Sequence, residues 1–209
     1  MKRSFMFICA AALLLTGCGA SADEASAQLF AMDTVMQLDA YGHQVKQAVS
    51  DAEETIQALE ARLSRTREDS LVSVLNQNGA AQDLSAAEQA LLSEALTFRD
   101  ATGGAFDITI APVMDAWGFT GDSYRVPAQD ELDALLENVN SDEIRLSGSS
   151  VTLGAGQAID LGGIAKGYTS DCVEAVFREN KIESGKISLG GNVFVLGGKP
   201  DGADWRVGI

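Results

Sequence analysis

The stretch AIDLGGIAKGY, residues 158–168, joins a short apolar run to a pair of glycines and then to a helical pattern. We predict a strand over residues 158–161, a turn at Gly162-Gly163 and a helix directly after it. Glycines let the backbone approach a ligand closely, and the free N–H groups at the start of a helix favour phosphate. Lys166 adds a positive charge to the first turn, and Asp160 offers a hydrogen-bond acceptor. The spacing matches neither a P-loop nor the dinucleotide-binding glycine pattern, so a phosphate-binding turn and a structural helix start remain open alternatives.

Helical and strand patterns alternate on both sides of this stretch. Apolar residues at steps of three and four predict an amphipathic helix over residues 45–63, and Ser85 with Glu88 forms a capping box that opens a second helix. Strands are predicted at 29–41, 186–189, 192–196 and 205–209, and a hairpin at 143–146 and 151–153. Residues 64–79 are predicted to be a polar loop. A short helix is predicted after Pro127, and its inward-facing residues are Leu132, Leu135, Leu136 and Val139. Because several strand pairs look like hairpins, the predicted fold class is α+β with largely antiparallel sheets.

Two further segments carry candidate binding residues. In TGGAFDITIAP, residues 102–112, glycines permit close approach, while Phe106 offers a flat apolar face and Asp107 an acceptor. This pair could hold a purine or isoalloxazine ring, and the alternative is a helix end that leads into a buried strand. Met32 is the third candidate, either packed against a ring or part of the core.

Composition restricts the kind of partner and the kind of metal. The 209 residues are 46% apolar and carry a formal net charge of −15, which disfavours binding to nucleic acid. His43 is the one histidine, so a multi-histidine zinc site is excluded and a Ser-His triad would depend on this residue alone. A metal would therefore be held by oxygen ligands, which points to magnesium or calcium.

The N-terminus resembles a lipoprotein export signal. Lys2 and Arg3 precede an apolar run over residues 5–15, and Leu15-Thr16-Gly17-Cys18 fits a lipobox. We predict a signal peptide over residues 1–17, a lipidated Cys18 with a flexible tether to residue 28, and attachment to the extracytoplasmic side of the cell membrane. The alternative is an ordinary signal peptide with an incidental cysteine. In the lipoprotein interpretation, Cys9 is removed with the signal and Cys18 is lipidated, so Cys172 is the one free cysteine of the mature domain, and its apolar helical setting indicates a buried small hydrophobe.

Taken together and in this order, the segments resemble the FAD:protein FMN transferases, the ApbE family. The matching features are Met32 with Thr34, a Ser-rich loop from Ser64 through Ser70 to Asn76, Gly104 through Pro112 with Trp117-Gly118-Phe119, Asp160 through Gly167, Gly190-Gly191, and Trp205-Arg206-Val207. The resemblance implies an FAD cleft between two subdomains of an α+β fold. It implies FAD contacts from Met32, Ala105, Phe106, Asp107, Asp160 and Lys166, and a backbone carbonyl of Gly163 as a magnesium ligand. Many members have a Tyr near the position of Thr66, so Thr66 is a weak candidate.

The same resemblance implies a reaction and indicates how much of the transferase domain this sequence contains. The reaction is magnesium-dependent transfer of FMN from FAD to a threonine hydroxyl of an acceptor flavoprotein, with release of AMP and with flavoprotein subunits of membrane redox complexes as acceptors. Alternatives are an FAD pyrophosphatase that gives FMN and AMP, and a flavin-binding lipoprotein without catalysis; no residue is assigned as the general base. Because the chain stops inside a predicted strand, we expect residues 29–209 to be the N-terminal part of the transferase domain. The other magnesium ligands are then expected beyond Ile209, and the fragment alone is expected to have little or no activity.

Overall fold

The structure is a computed structural model that describes residues 23–121 and 123–208. Its elements are β1 (Asp23–Ala31), β2 (Thr34–Gly42), α1 (Val45–Leu63), α2 (Leu71–Asn78), β3 (Ala80–Ala81), α3 (Ala86–Ala101), a 3-10 turn (Ile108–Ile110), α4 (Ala111–Trp117), α5 (Gln129–Leu136), a second 3-10 turn (Ser141–Glu143), β4 (Arg145–Ser147), β5 (Ser150–Thr152), α6 (Ala165–Glu179), β6 (Ser184–Leu189) and β7 (Asn192–Leu196). Residues 1–17 and Cys18 lie outside the described part. No described helix has the length and hydropathy needed to cross a membrane.

Two antiparallel sheets organise the fold. The larger has the strand order β1-β2-β6-β7 and the smaller the order β3-β5-β4. The α+β prediction, which rested on strand pairs that look like hairpins, is therefore confirmed, since β4–β5 and β6–β7 are antiparallel hairpins.

Each sheet borders its own hydrophobic core. The first core joins the larger sheet to α1 and α6 through side chains such as Leu38, Ile56 and Phe177. The second core includes Leu75 of α2 and Leu161, which precedes α6. Full burial of an apolar side chain of this size contributes about 1.5–3 kcal/mol. Both α1 and α6 contribute to both cores, so the segment in front of α6 lies where the cores meet.

The first strand prediction needs correction in two ways. Residues 29–41 are not one strand, because Met32 and Asp33 turn the chain with φ values of 49° and 59°. No glycine or proline marks this turn in the sequence, so the alternating pattern on either side looked continuous. Residues 23–28, predicted as part of the flexible tether, instead belong to β1 and pair with β2. Ala25 and Ala27 pack against the first core, which small residues allow at an edge strand.

Residues 64–79 are not a continuous loop, because they contain α2. The Ser70 side chain caps this helix by accepting the Ser73 N–H at 2.9 Å, and Gly79 ends it with φ 69°. The buried Leu71, Val72 and Leu75 give it one apolar face. One short apolar face among serines and asparagines is a weak periodic signal, which explains why the sequence indicated a loop.

Four predicted strands or inner faces are also absent from the described residues. The segment 158–161 is extended but forms no strand, because the Asn76 side chain and the Ile108 carbonyl satisfy its backbone instead. Residues 205–208 form no strand, and Trp205 packs against Tyr41. Leu136 of α5 is 48% exposed and does not face inward, and the segment after Asp107 is helical, not a buried strand. Its Pro112 lies in the first turn of α4, where proline is tolerated.

Candidate flavin-binding site

The Gly162-Gly163 turn is fixed by the residue in front of it. Asp160 Oδ1 accepts the Gly162 N–H at 2.6 Å, and the N–H groups of Ile164 and Ala165 both donate to the Leu161 carbonyl. No side chain caps the start of α6. A Cβ on Gly162 would lie 2.9 Å from Asp160 Oδ1, so a larger residue would disturb the carboxylate. The turn thus presents the start of α6, with its partial positive charge, at the surface.

Phe106 lies directly against this turn. A Cβ on Gly163 would be 3.0 Å from Phe106 Cε2, so the glycine allows the ring to approach the backbone. The ring is half-buried and packs edge-on against Phe98, with centroids 6.3 Å apart, while Ala105 beside it is exposed. Two segments that lie more than fifty residues apart in the sequence are therefore in contact.

The Asp107 carboxylate accepts hydrogen bonds from neighbouring residues within the fold. Its Oδ1 accepts the Thr109 N–H at 2.8 Å and the Thr109 hydroxyl at 2.6 Å, and Oδ2 accepts the Ser141 N–H at 3.0 Å. The Ser141 hydroxyl also donates to Oδ1. Burial alone would raise the pKa of Asp107, but the donors from Ser141 and Thr109 outweigh it and hold the pKa below its ordinary value. Asp107 joins the two 3-10 turns, and a direct contact with FAD stays a prediction.

Arg65 is a site residue that the sequence did not reveal. Its Nη1 donates to Asp160 Oδ2 at 2.8 Å, and its Nη2 donates to Asp115 Oδ1 at 2.7 Å. The Nε atom is buried and has no hydrogen-bond partner in the described part of the chain. In the sequence, Arg65 is only a cation beyond the end of a helix, and no local pattern links it to Asp160. Thr66, the weak candidate, is exposed beside it, and its N–H donates to Ser64 Oγ.

Met32 and Lys166 lie at the first two turns of α6. The Thr169 hydroxyl of α6 lies 3.7 Å from Met32 Sδ, and the Met32 N–H donates to Glu60 at 3.0 Å. Lys166 is half-buried and forms no ion pair with any residue that the structure describes. Its carbonyl accepts from the side chain of Asn192, which fixes the β6–β7 turn against α6. Asn192 was not a candidate, because an asparagine at the start of a strand carries no specific signal.

The chemistry of the site suits a dinucleotide better than a preformed metal centre. A lysine without an ion pair, an uncapped helix start and a glycine turn are donors for phosphate, and Phe106 offers an apolar ring. Within residues 23–121 and 123–208, no three His, Cys, Asp or Glu side chains are grouped to hold a metal. Gly163 is an exposed residue, and its carbonyl is compatible with Mg²⁺ as one oxygen ligand of the several that this ion needs.

Comparison with known proteins decides the family. The model of the ApbE family matches residues 32–209, which include all the candidate site residues except the lipidation site. The chain belongs to the ApbE family. This ApbE-family chain is 26% identical over 217 residues to an FAD:protein FMN transferase of Vibrio cholerae, a match that covers 99% of the chain and 65% of the relative. It is 31% identical over 185 residues to the Treponema pallidum protein of the same name, covering 79% of the chain and 51% of the relative.

Solved structures of the family agree with the fold described above. The flavin transferase ApbE from Vibrio cholerae superposes with a TM-score of 0.80 at 25% identity, covering 90% of this chain and 64% of that one. The ApbE protein from Thermotoga maritima gives a TM-score of 0.78 at 26% identity, covering 85% and 60%. These matches confirm the predicted ApbE-like α+β fold. The chain spans between about half and two thirds of the length of these relatives.

Proposed function

We propose that the protein transfers FMN from FAD to a threonine hydroxyl of an acceptor flavoprotein and releases AMP. The observation that carries this proposal is the junction of Phe106 with the Gly162-Gly163 turn at the start of α6. An apolar ring and a phosphate-binding turn in contact suit a ligand with an aromatic ring system and a pyrophosphate. Membership of a family whose curated relatives are named FAD:protein FMN transferase supports the same substrate.

The described residues would bind and orient FAD. The start of α6 and Lys166 would face the pyrophosphate, while Met32, Ala105 and Phe106 would border the ring systems. The threonine oxygen attacks the phosphorus on the FMN side and a new P–O bond forms, the bond from that phosphorus to the bridging oxygen breaks so that AMP leaves with this oxygen, and the hydroxyl proton passes to solvent. Mg²⁺, with the Gly163 carbonyl among its ligands, would screen the pyrophosphate charge. Positioning and electrostatic stabilisation then supply most of the acceleration, as in other phosphoryl transfers.

The test uses the full-length protein with FAD, Mg²⁺ and an acceptor flavoprotein domain. Covalent flavin on the acceptor, detected as fluorescence in a denaturing gel and as an added FMN mass, supports the proposal. The matched control is the same acceptor with its target threonine replaced by alanine, which should stay unlabelled. Free FMN without labelling would indicate FAD hydrolysis, and bound but unchanged FAD would indicate simple binding. An absence of FAD binding would refute all three functions.

We also propose that the protein is held at the extracytoplasmic face of the cell membrane by a lipid on Cys18. The support is the order of basic residues, apolar run and lipobox in residues 1–18. An anchor of this kind would place the site near flavoprotein subunits of membrane redox complexes, which we propose as acceptors. Replacing Cys18 by serine should move the protein out of the washed membrane fraction and abolish labelling by radioactive palmitate. Retention of the variant in washed membranes would contradict a lipid anchor at Cys18.

A further inference from the structure

The guanidinium of Arg65 is bonded to two carboxylates of different exposure. Asp160, at 2.8 Å, and Arg65 have side chains that are only 15% and 13% exposed, whereas Asp115, at 2.7 Å, is 52% exposed. An exposed ion pair is screened by solvent and contributes little, and a sheltered one is screened less. The bond to Asp160 is therefore the energetically important one.

A continuous path leads from Arg65 to the glycine turn. One oxygen of Asp160 accepts from Arg65 and the other accepts the Gly162 N–H at 2.6 Å, so the carboxylate cannot rotate without losing one of these bonds. The residue before it is held as well, because the Asn76 side chain both donates to and accepts from the Ile159 backbone, at 2.9 and 2.7 Å. The segment that follows α1 thus fixes the front of the turn.

The contact between Arg65 and Asp160 also has an electrostatic consequence. A carboxylate beside a turn that binds pyrophosphate would repel the ligand unless a cation compensates it. Arg65 supplies that cation, and both of its Nη atoms are already bonded to carboxylates. A lysine could supply the charge from a single nitrogen, whereas the planar fork of Arg65 binds each acid through a different nitrogen in a fixed geometry.

We infer that Arg65 is a positioning residue that orients and neutralises Asp160, so that the Gly162-Gly163 turn can accept the pyrophosphate of FAD. This inference rests on the proposed function. Arg65 acts through Asp160 and does not itself contact the ligand. Loss of Arg65 should therefore lower the affinity for ligands that carry phosphate more than the affinity for riboflavin, which carries none.

The test compares Arg65→Gln, Arg65→Lys and the control Arg67→Gln in the full-length protein. Arg67 forms only a long, exposed ion pair with Asp69 at 3.6 Å, so its replacement removes the same charge without touching the turn. Kd values for FAD and riboflavin come from quenching of flavin fluorescence, and hydrogen exchange reports the Gly162 amide without any ligand. For Arg65→Gln we expect faster exchange at Gly162 and about tenfold weaker FAD binding, with riboflavin changed less than twofold. Arg67→Gln should match the wild type in all three measurements.

Other outcomes separate this inference from the proposed function. A wild-type protein that fails to bind FAD would overturn both. FAD binding within twofold of the wild type in Arg65→Gln, or weaker binding with unchanged exchange at Gly162, would overturn only the role of Arg65. If Arg65→Gln does not fold, Arg65→Lys decides the orienting role, because it keeps the charge: faster exchange with weaker FAD binding supports that role, and wild-type values in both measurements overturn it.

Discussion

Replacing Gly190 by alanine tests how closely the β1–β2 and β6–β7 turns pack beside the candidate site. Gly190 has a φ of +60°, and an added Cβ would lie 2.4 Å from Thr34 Oγ1 and 2.5 Å from Thr34 Cγ2. Gly191 beside it has a φ of +97°, yet nothing lies within 4 Å of its added Cβ. The two glycines therefore share an unfavourable backbone conformation for alanine, and only Gly190 adds a steric clash.

The magnitude follows from these two contributions. Alanine in the left-handed region costs about 1–2 kcal/mol, and forcing an extra methyl group into a packed contact costs about 1–3 kcal/mol. We expect Gly190→Ala to lower the free energy of unfolding by about 2–5 kcal/mol and Gly191→Ala by about 1–2 kcal/mol. For a chain of this size, 1 kcal/mol shifts Tm by about 2–4 °C. The expected losses in Tm are thus roughly 10 °C for Gly190→Ala and roughly 4 °C for Gly191→Ala.

Thermal unfolding followed by circular dichroism measures both variants, first alone and then in a Thr34→Ala background. Thr34→Ala removes the two atoms closest to the added methyl group but leaves Thr34 Cβ 2.8 Å from it, so the cost of Gly190→Ala should fall by only part of the clash, about 1 kcal/mol, in that background. The cost of Gly191→Ala should not change. Equal losses of Tm in the two single variants, or the absence of coupling between Gly190 and Thr34, would show that the turns do not pack as described.

Further predictions concern stability, ligand binding and ionisation. Asp107→Ala removes a carboxylate that is 8% exposed and accepts several hydrogen bonds, so urea unfolding without FAD should show a free energy of unfolding lower by about 2–3 kcal/mol. A decrease below about 0.5 kcal/mol would contradict the role of Asp107 in joining the two 3-10 turns. Lys166→Gln should raise the Kd for FAD about tenfold without changing Tm or the Kd for riboflavin, and an equal loss for both flavins would exclude a phosphate contact. Lys186→Met should lower the free energy of unfolding by about 1–3 kcal/mol, because it removes the only ion-pair partner that the described residues offer the buried Asp39, at 2.7 Å. Burial raises the pKa of Asp39, but the hydrogen bond from Lys186 and further donors hold this pKa below its ordinary value. The ion pair therefore stabilises the fold above about pH 3.9, and this stabilisation is lost as the pH falls through the folded-state pKa of Asp39. Asp39→Asn should remove that part of the acid-induced loss of stability, and an unchanged pH profile would contradict it. Burial raises the pKa of Tyr168 to about 12, so ultraviolet titration of wild type and Tyr168→Phe should differ only near that pH.

The parts of the fold that the sequence predicted are those with a long or repeated local signal. The helices α1, α3 and α6 have several turns of apolar periodicity or a capping box, and the hairpin of β4 and β5 has a glycine turn. The β1–β2 turn was missed because Met32 and Asp33 adopt positive φ without glycine. The extended segment 158–161 was predicted as a strand because its composition suits one, but its backbone partners are a side chain and a non-strand carbonyl.

The candidate site was predictable only in part for a related reason. Phe106 and the Gly162-Gly163 turn could be proposed because each stands in a distinctive local motif, and the structure places them in contact. Arg65 could not, because its meaning depends on Asp160, which lies 95 residues later in the chain. Ion pairs between distant segments leave no period or spacing in a sequence, so such positioning residues become visible only in three dimensions.

The two acidic candidates also bear on how the reaction is accelerated. Asp107 accepts hydrogen bonds from Thr109 and Ser141 and has a lowered pKa, so it is a weak base near neutral pH. Both oxygens of Asp160 are bonded, one to Arg65 and one to the Gly162 N–H, so proton abstraction by this carboxylate would require breaking one of those bonds. Neither acid is therefore arranged to take the proton of an attacking hydroxyl. In the proposed reaction, these carboxylates orient the polypeptide around the pyrophosphate, and the described residues promote transfer by binding and electrostatics.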